Sequence, residues 1–157
     1  MVQIGFKYHK KGEWECLQEK NITLINDSYN ASFDSMKAAI KYLAEEVISN
    51  RKIVVLGDMF ELGDFAEELH RNVGKEVAKN KIDKLFAIGE NSKFIVQEAI
   101  KTGMPKDDIY YFKTKEDLLE SIQDIMEEGD AILFKASNGV KLFELVDKLK
   151  EIRLWKN

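Results

Sequence analysis

The sequence predicts an α/β fold, a Rossmann-like three-layer sandwich in which a mostly parallel sheet lies between two layers of helices. Short apolar runs rich in β-branched residues alternate with longer amphipathic stretches from residue 21 onward. The 157 residues include a single Pro and are 45% hydrophobic, which is typical of one folded domain. Because crossovers between parallel strands are right-handed, this alternation favours a doubly wound topology.

Five apolar runs are the predicted strands, and they cover residues 22–25, 53–56, 85–88, 109–112 and 131–134. Each run is as short as a buried parallel strand. Residues 1–20 are more polar, and only 14–17 resemble a strand. We therefore expect an N-terminal arm or extra edge strand at 1–20, followed by an α/β domain at 21–157.

Amphipathic stretches between these runs are the predicted helices, at residues 33–49, 66–79, 92–101, 115–127 and 140–152. The first illustrates the pattern, because Met36, Ala39, Ile40 and Leu43 recur at spacings of three and four residues. That spacing places them on one face of a helix. Each predicted helix can thus cover part of the sheet.

Composition excludes several classes of protein. The formal net charge of −4 arises from mixed acidic and basic residues, without the basic stripe of a nucleic-acid-binding protein. Cys16 is alone, which excludes an internal disulfide and a Cys-based zinc cluster. His9 and His70 are too far apart in sequence to suggest a metal site. No apolar stretch approaches the ~18 residues of a membrane span, and we expect a cytoplasmic protein.

Polar segments follow four of the predicted strands, at residues 26–32, 57–59, 89–91 and 135–139. In open α/β sheets ligands bind outside the carboxyl ends of the strands, where helix amino termini converge. The segments combine carboxylates, a lysine, amides and hydroxyls. Such a mixture suits ribose hydroxyls, an ammonium group or a phosphate.

Simpler interpretations exist for several of these residues. Asp27 and Asn30 also fit a turn that leads into a helix capped by Ser32. Asp58 fits a turn that ends a buried strand, and His70 fits a surface or half-buried helix position. Lys135 is more informative, because a charge directly after an apolar strand must reach solvent, a partner carboxylate or a ligand.

The chain contains neither the G-x-x-x-x-G-K-[ST] nor the G-x-G-x-x-G pattern. Both patterns place a Gly-rich loop around a di- or triphosphate. The sequence therefore predicts that this chain has no phosphate-binding loop of its own.

Three segments, at residues 25–36, 55–63 and 135–139, resemble motifs of the Mur ligase family of peptidoglycan synthesis. Residues 25–36, I-N-D-S-Y-N-A-S-F-D-S-M, are similar to D-x-Y-N-A-N-P-x-S-M, which opens the third domain of the ligases that add D-alanyl-D-alanine to UDP-N-acetylmuramoyl-tripeptide. Residues 55–63, V-L-G-D-M-F-E-L-G, followed by His70, are similar to V-L-G-D-M-x-E-L-G…H. Residues 135–139, K-A-S-N-G, resemble K-G-S-R-G. The chain is thus identified as a member of this family.

The resemblance implies ATP-dependent amide formation, in which a substrate carboxylate becomes an acyl phosphate that an amine then attacks. In the family an amino-terminal domain holds the UDP-sugar peptide, and a central domain holds ATP on a phosphate loop. This chain then resembles the carboxyl-terminal domain, which closes over both and positions the D-alanyl-D-alanine amine. ATP and Mg²⁺ would be bound mainly by the other domains, so the isolated chain is expected to be inactive.

The family motifs also imply roles for individual residues. The nucleotide-facing residues by resemblance are Asp27, Tyr29 and Asn30. The substrate-facing residues by resemblance are Asp58, Lys135, Ser137 and Asn138. His70 is a further candidate, and no residue is expected to catalyse in isolation or to bind a metal.

The sequence departs from the motifs at four positions. Ser32 and Phe33 replace Asn and Pro, and Ala136 and Asn138 replace Gly and Arg. Loss of the guanidinium removes a planar, bidentate donor for a carboxylate or phosphate.

Two other hypotheses remain open from the sequence. The chain could be a stand-alone binding module derived from such a ligase, since the motif departures at 136 and 138 are typical of lost function. A receiver-like phosphoacceptor domain would use Asn26, Asp27, Asp58, Ser92 and Lys135. The spacing disfavours it, because a receiver has two crossover helices between its acidic pair and its phosphorylated aspartate, and only one is predicted here.

Overall fold

The computed structural model describes the backbone of residues 3–9, 12–19 and 21–155, and the side chains of residues 21–152. The strands are β1 (Gln3–His9), β2 (Gly12–Glu19), β3 (Ile22–Asn26), β4 (Arg51–Gly57), β5 (Lys84–Ile88), β6 (Ile109–Phe112) and β7 (Asp130–Lys135). The helices are α1 (Phe33–Glu46), α2 (Ala66–Lys79), α3 (Ser92–Lys101), α4 (Lys115–Ile125) and α5 (Leu142–Trp155).

The strands form one sheet in the order β1-β2-β3-β7-β4-β5-β6. Strands β3, β7, β4, β5 and β6 are all parallel, which confirms the predicted sheet. Strands β1 and β2 pair antiparallel with each other, and β2 pairs antiparallel with β3. Of the N-terminal segment predicted as an arm or edge strand, residues 1, 2, 10, 11 and 20 lie outside the described residues.

Two apolar layers enclose the sheet and confirm the three-layer sandwich. Helices α1, α2 and α3 pack on one face, where they cover Val54 and Leu56 of β4. Helices α4 and α5 pack on the other face over Ile53 and Val55. Successive side chains of a strand point to opposite faces, so one apolar run contributes to both cores. No helix of the described residues is long and apolar enough to cross a lipid bilayer.

Helices α2 and α3 have the predicted bounds, whereas α1 ends at residue 46 instead of 49 and α4 at 125 instead of 127. Basic side chains at the start of β4 contact the carboxyl-terminal ends of both α1 and α4. The Lys52 ammonium donates to the Ala44 carbonyl of α1, and Arg51 Nη2 donates to the Ile125 carbonyl of α4 at 2.9 Å. Both contacts satisfy carbonyls that a helix end leaves without intrahelical partners.

Helix α5 begins at residue 142 instead of the predicted 140. A 3₁₀ turn, Asn138–Val140, comes first, and Lys141 then adopts a left-handed conformation with φ of 59°. A left-handed residue cannot continue a right-handed helix. The loop after β7 is therefore longer than the apolar pattern indicates.

Candidate functional site

The polar loops after β3, β7 and β4 lie side by side at one edge of the sheet. We refer to them as the β3 loop (residues 27–32), the β7 loop (136–141) and the β4 loop (58–65). Their adjacency follows from the strand order, in which β7 lies between β3 and β4 with all three strands parallel. This edge is where the sequence places the functional residues.

The β3 loop is ordered by its own polar groups. The Asp27 N–H donates to the Phe134 carbonyl at 2.9 Å, which extends the strand pairing by one residue. Asn30 Oδ1 accepts from the next amide in the chain at 2.8 Å. Ser32 caps α1 and forms a capping box with Ser35, in which each side chain accepts from the other residue's backbone N–H. Ser32 therefore has a clear structural role where the family motif has Asn.

Lys135 joins the β7 and β3 strand ends through its ammonium. Lys135 Nζ donates to Asp27 Oδ2 at 2.8 Å and to the Asn30 carbonyl at 3.0 Å. The side chain of Lys135 is 3% exposed and that of Asp27 is 13% exposed. A buried ammonium needs such acceptors, since burial without them costs several kcal/mol. Of the three options that the sequence left open for Lys135, the structure shows a partner carboxylate.

The Asp58 carboxylate caps helix α3. Its oxygens accept hydrogen bonds from Asn91 N at 3.1 Å, Ser92 N at 2.8 Å and Ser92 Oγ at 2.7 Å. An acidic group is favoured here by the partial positive charge of the helix amino terminus. Gly89 makes the approach feasible, because a Cβ at that position would lie 2.4 Å from Asp58 Oδ1. Asp58 is 7% exposed and faces the protein interior.

Ser137 ties the β7 loop to the β4 loop. Its backbone N–H donates to the Asp58 carbonyl at 3.0 Å, and its Oγ accepts from the Phe60 N–H at 2.8 Å. With 7% exposure, Ser137 offers little surface to a ligand. The residue instead fixes the distance between two loops that a ligand would contact.

Asn138 is exposed at the tip of the β7 loop. Ala136, two residues before Asn138, is fully buried next to Gly57. A Cβ added at Gly57 would lie only 2.8 Å from Ala136 Cβ. Because Gly57 has no side chain, the methyl group of Ala136 fits at a position where the family motif has Gly. A Cβ at Gly139 would similarly lie 2.7 Å from Phe60 Cε2, so the Phe60 ring covers this turn.

His70 of α2 is fully buried, so the surface or half-buried position considered from the sequence is wrong. Its Nε2 lies 3.0 Å from the Met59 nitrogen, and its Nδ1 lies 2.6 Å from the Ala66 carbonyl oxygen. The ring thus contacts backbone atoms near both ends of the β4 loop. A ligand at the sheet edge cannot touch it directly.

Exposure separates the candidate residues into two groups, except for Asp27, whose exposure is intermediate. Asn30, Asn138 and Tyr29 are exposed, and the Tyr29 ring is 70% exposed. The buried polar candidates are Asp58, His70, Lys135 and Ser137. Phe60, which is 46% exposed, was not identified as a candidate from the sequence, although it lies inside the second motif. A ligand at this edge would therefore meet exposed side chains whose loops are held by buried ones.

Tyr111 of β6 is a second aromatic residue near this edge that the sequence did not single out. Its hydroxyl donates to the Gly89 carbonyl at 2.7 Å. Burial raises the pKa of Tyr111 above its ordinary value, and the negative charges of Glu90 and Asp58 raise it further. The folded protein therefore disfavours a negative charge on the Tyr111 oxygen.

The side chains of the site do not fit a magnesium ion held by this chain alone. Mg²⁺ needs carboxylate oxygens that can coordinate it. The Asp58 carboxylate accepts three hydrogen bonds, and the Asp27 carboxylate accepts one from Lys135. Among the described residues, no group of three or more His, Cys, Asp or Glu could hold a metal ion.

Comparison with known proteins yields a family match and several relatives. Residues 14–138 match the family model described as Mur ligase, glutamate ligase domain. The chain is 42% identical over 133 residues to the UDP-N-acetylmuramoyl-tripeptide–D-alanyl-D-alanine ligase of Bacillus subtilis, covering 85% of this chain and 29% of that protein. It is 34% identical over 151 residues to the enzyme of the same name from Rickettsia prowazekii, covering 93% and 32%.

Solved structures show the same fold. A crystal structure of MurF from Acinetobacter baumannii matches with a TM-score of 0.74 and 27% identity, covering 87% of this chain and 30% of that chain. The MurF ligase of Thermotoga maritima in complex with ADP matches with a TM-score of 0.73 and 22% identity, covering 88% and 30%.

The chain spans about 29% of the length of the Bacillus subtilis relative. The family match, in contrast, extends over most of this chain and includes the β3 and β4 loops. The chain therefore belongs to the Mur ligase family, and the part of that family that it matches is the glutamate ligase domain.

Proposed function

We propose that this chain is the carboxyl-terminal closing domain of an ATP-dependent ligase that adds D-alanyl-D-alanine to UDP-N-acetylmuramoyl-tripeptide in cell-wall peptidoglycan synthesis. The observation that carries the proposal is the rigid support beneath the exposed side chains of the sheet edge. Buried Lys135 and Ser137 fix three neighbouring loops, and these loops expose Tyr29 and Asn138. The names of the relatives supply the reaction.

In this proposal the β3 loop faces the nucleotide, with Tyr29 and Asn30 in contact and Asp27 holding the loop from beneath. The β7 and β4 loops face the substrate, with Asn138 in contact. Lys135, Ser137 and Asp58 keep these loops in place, because their polar groups are engaged inside the protein.

The chain's contribution to the reaction is orientation and water exclusion. The substrate carboxylate takes the γ-phosphoryl group of ATP and releases ADP. The D-alanyl-D-alanine amine then attacks the acyl phosphate, and phosphate leaves as the amide forms. Closing a domain over the acyl phosphate protects it from hydrolysis and holds the amine near it.

The proposal assigns most of the ATP and Mg²⁺ contacts to the amino-terminal and central domains of the ligase. The isolated chain is then inactive, and because the reaction consumes ATP we place it in the cytoplasm. The proposal keeps the predicted division of the chain, in which residues 1–20, with strands β1 and β2, precede the Mur ligase C-terminal-like domain at 21–157.

A chimeric ligase tests this function. The chain replaces the segment of the Bacillus subtilis relative to which it is similar, and phosphate release is followed with ATP, Mg²⁺, UDP-N-acetylmuramoyl-tripeptide and D-alanyl-D-alanine. We expect release that depends on D-alanyl-D-alanine. The relative without that segment and the isolated 157-residue chain are the inactive controls.

Three variants of the chimera test the assignment of the loops. Tyr29→Ala is expected to raise the KM for ATP, and Asn138→Ala the KM for D-alanyl-D-alanine, each by about tenfold for a lost contact of ~1.4 kcal/mol. Ile48→Ala is the matched control, because Ile48 is 99% exposed just before β4, at the opposite end of the sheet.

An inactive chimera that folds and binds all three substrates would contradict the proposal and favour a stand-alone binding module. Formation of an aspartyl phosphate on the isolated chain with a small phosphoryl donor would instead favour a receiver-like domain. Equal effects of all three variants would show that the sheet edge has no special role.

A further inference from the structure

The β4 loop carries few hydrogen bonds of its own and two residues with left-handed backbone. Glu61 has φ of 62° and Gly63 has φ of 55°. The left-handed region is unfavourable for a residue with a Cβ, so Glu61 needs outside support to stay there. The side chains of Ser137 and His70 hold the backbone from outside the loop.

His70 contacts both ends of this loop with one ring. The Met59 N–H lies 3.0 Å from Nε2 at the start, and the Ala66 carbonyl lies 2.6 Å from Nδ1 at the end. A peptide N–H can only donate, so Nε2 must be unprotonated and accept. A carbonyl can only accept, so Nδ1 must carry the proton and donate. These partners select one neutral tautomer of the imidazole.

The hydrogen bond that Met59 donates to His70 is connected to the exposed Asn138 through Phe60, the next residue in the chain. Phe60 donates its N–H to Ser137 Oγ at 2.8 Å, and its ring lies against Gly139. Gly139 directly follows Asn138, which is exposed at the tip of the β7 loop. A shift of Met59 would therefore move the Phe60 ring and the turn that carries Asn138.

We propose that His70 is a positioning residue, which holds Phe60 and thereby Asn138 in their ligand-facing places through the acceptor Nε2. His70 is fully buried and acts without touching a ligand. The effect on substrate binding rests on the proposed function, whereas the effect on the loop concerns this chain alone. The ligand class is a short peptide, the incoming D-alanyl-D-alanine.

Two substitutions test the two ring nitrogens of His70 separately. In His70→Gln the side-chain oxygen takes the approximate place of Nε2 and can still accept from Met59. In His70→Asn the side-chain N–H₂ takes the approximate place of Nδ1 and can still donate to Ala66, whereas the Met59 N–H loses its acceptor. Both variants remove a buried ring, so a merely structural role predicts similar effects from the two.

The first measurement uses the 157-residue chain and does not depend on ligase activity. Side-chain ¹⁵N NMR of the unmodified chain should show His70 protonated at Nδ1 only. In His70→Asn, amide exchange at Met59 and Phe60 should rise by about tenfold, for a net hydrogen bond of ~1.4 kcal/mol, and the Asn138 signals should shift. In His70→Gln these signals should stay close to those of the unmodified chain. Protonation at Nε2, or unchanged Asn138 signals in both variants, would overturn the proposal.

The second measurement uses the chimeric ligase. His70→Asn should raise the KM for D-alanyl-D-alanine by about tenfold and leave the KM for ATP within about twofold, and His70→Gln should recover most of the loss. Equal loss in both variants, or a change in kcat alone, would overturn the positioning role. If the unmodified chimera is inactive, the proposed function fails, and the NMR measurement still decides how His70 acts on the loop.

Discussion

The Lys135 ammonium lies 2.8 Å from the Asp27 carboxylate, and this ion pair joins the carboxyl ends of the adjacent parallel strands β7 and β3. The Lys135 side chain is 3% exposed and that of Asp27 is 13% exposed, so water screens the pair little. Removing one partner leaves the other charge buried, which costs more than the net stabilisation by the pair. The strand ends that carry the site therefore depend on an intact pair.

Lys135→Met removes the ammonium while keeping much of the side-chain volume. We expect a loss of ~3 to 5 kcal/mol in the free energy of unfolding, measured by urea denaturation, because the largely buried Asp27 carboxylate loses its contact with the Lys135 ammonium. The double variant Lys135→Met with Asp27→Leu should be more stable than Lys135→Met alone, since no buried charge then remains.

Lys37→Met is the matched control, because Lys37 is exposed on α1. It should change the free energy of unfolding by no more than about 0.5 kcal/mol. A Lys135→Met variant as stable as this control would show that the ion pair contributes nothing to the strand ends.

Asp58→Ala removes the carboxylate that caps α3. The amides of Asn91 and Ser92 would lose their acceptor, so we expect a loss of ~2 to 3 kcal/mol in the free energy of unfolding and faster exchange of these amides. Asp58→Asn should cost less, since it keeps one oxygen. Asp124→Ala, at an exposed position of α4, is the control. Unchanged amide exchange at the start of α3 would contradict the capping role.

Gly57→Ala should be destabilising by about 1 to 3 kcal/mol, because its Cβ would lie 2.8 Å from Ala136 Cβ and 3.1 Å from Val140 Cγ1. Ala136→Gly restores the residue of the family motif and removes the nearer contact. The double variant should therefore be more stable than the sum of the two single changes predicts. Strict additivity in chemical denaturation would show that the two positions do not compete for the same space.

The layers of the fold could be predicted from sequence because they depend on local pattern. The run 53–56 alternates between the two faces of a buried strand, and the amphipathic stretches supply the helices that cover it. The end of α4 could not be predicted, since it contacts Arg51 of β4, which is 74 residues away in sequence. The end of α1 contacts Lys52 of the next strand, only eight residues from Ala44, but the apolar pattern does not show this contact. Only the folded chain brings those side chains to the helix ends.

The candidate site, too, could be predicted from sequence only in part. Motif positions identified the loops, because each loop directly follows a strand in the sequence. The partners of individual side chains were not predictable, since Lys135 meets a carboxylate 108 residues away and His70 meets the backbone of another element. A sequence pattern shows which residue types lie at the sheet edge, whereas their direction is set by contacts across the sheet.

Tyr111 makes the stability of the chain sensitive to alkaline pH. Its folded-state pKa is raised above the ordinary 10.0 by burial first and then by Glu90 and Asp58, so the folded protein disfavours tyrosinate. The corresponding stability is fully present below the ordinary pKa and is lost as the pH rises through the folded-state pKa.

Tyr111→Phe removes the hydrogen bond to Gly89 and should cost ~1 kcal/mol near pH 8. In urea denaturation from pH ~9 to ~11, its deficit relative to the unmodified chain should then shrink, because only the unmodified chain has this tyrosine to ionise. Glu90→Gln should lower the Tyr111 pKa without restoring its ordinary value, since burial is the larger cause. A deficit that stays constant over this range would show that the folded protein tolerates the Tyr111 phenolate as well as the unfolded chain does.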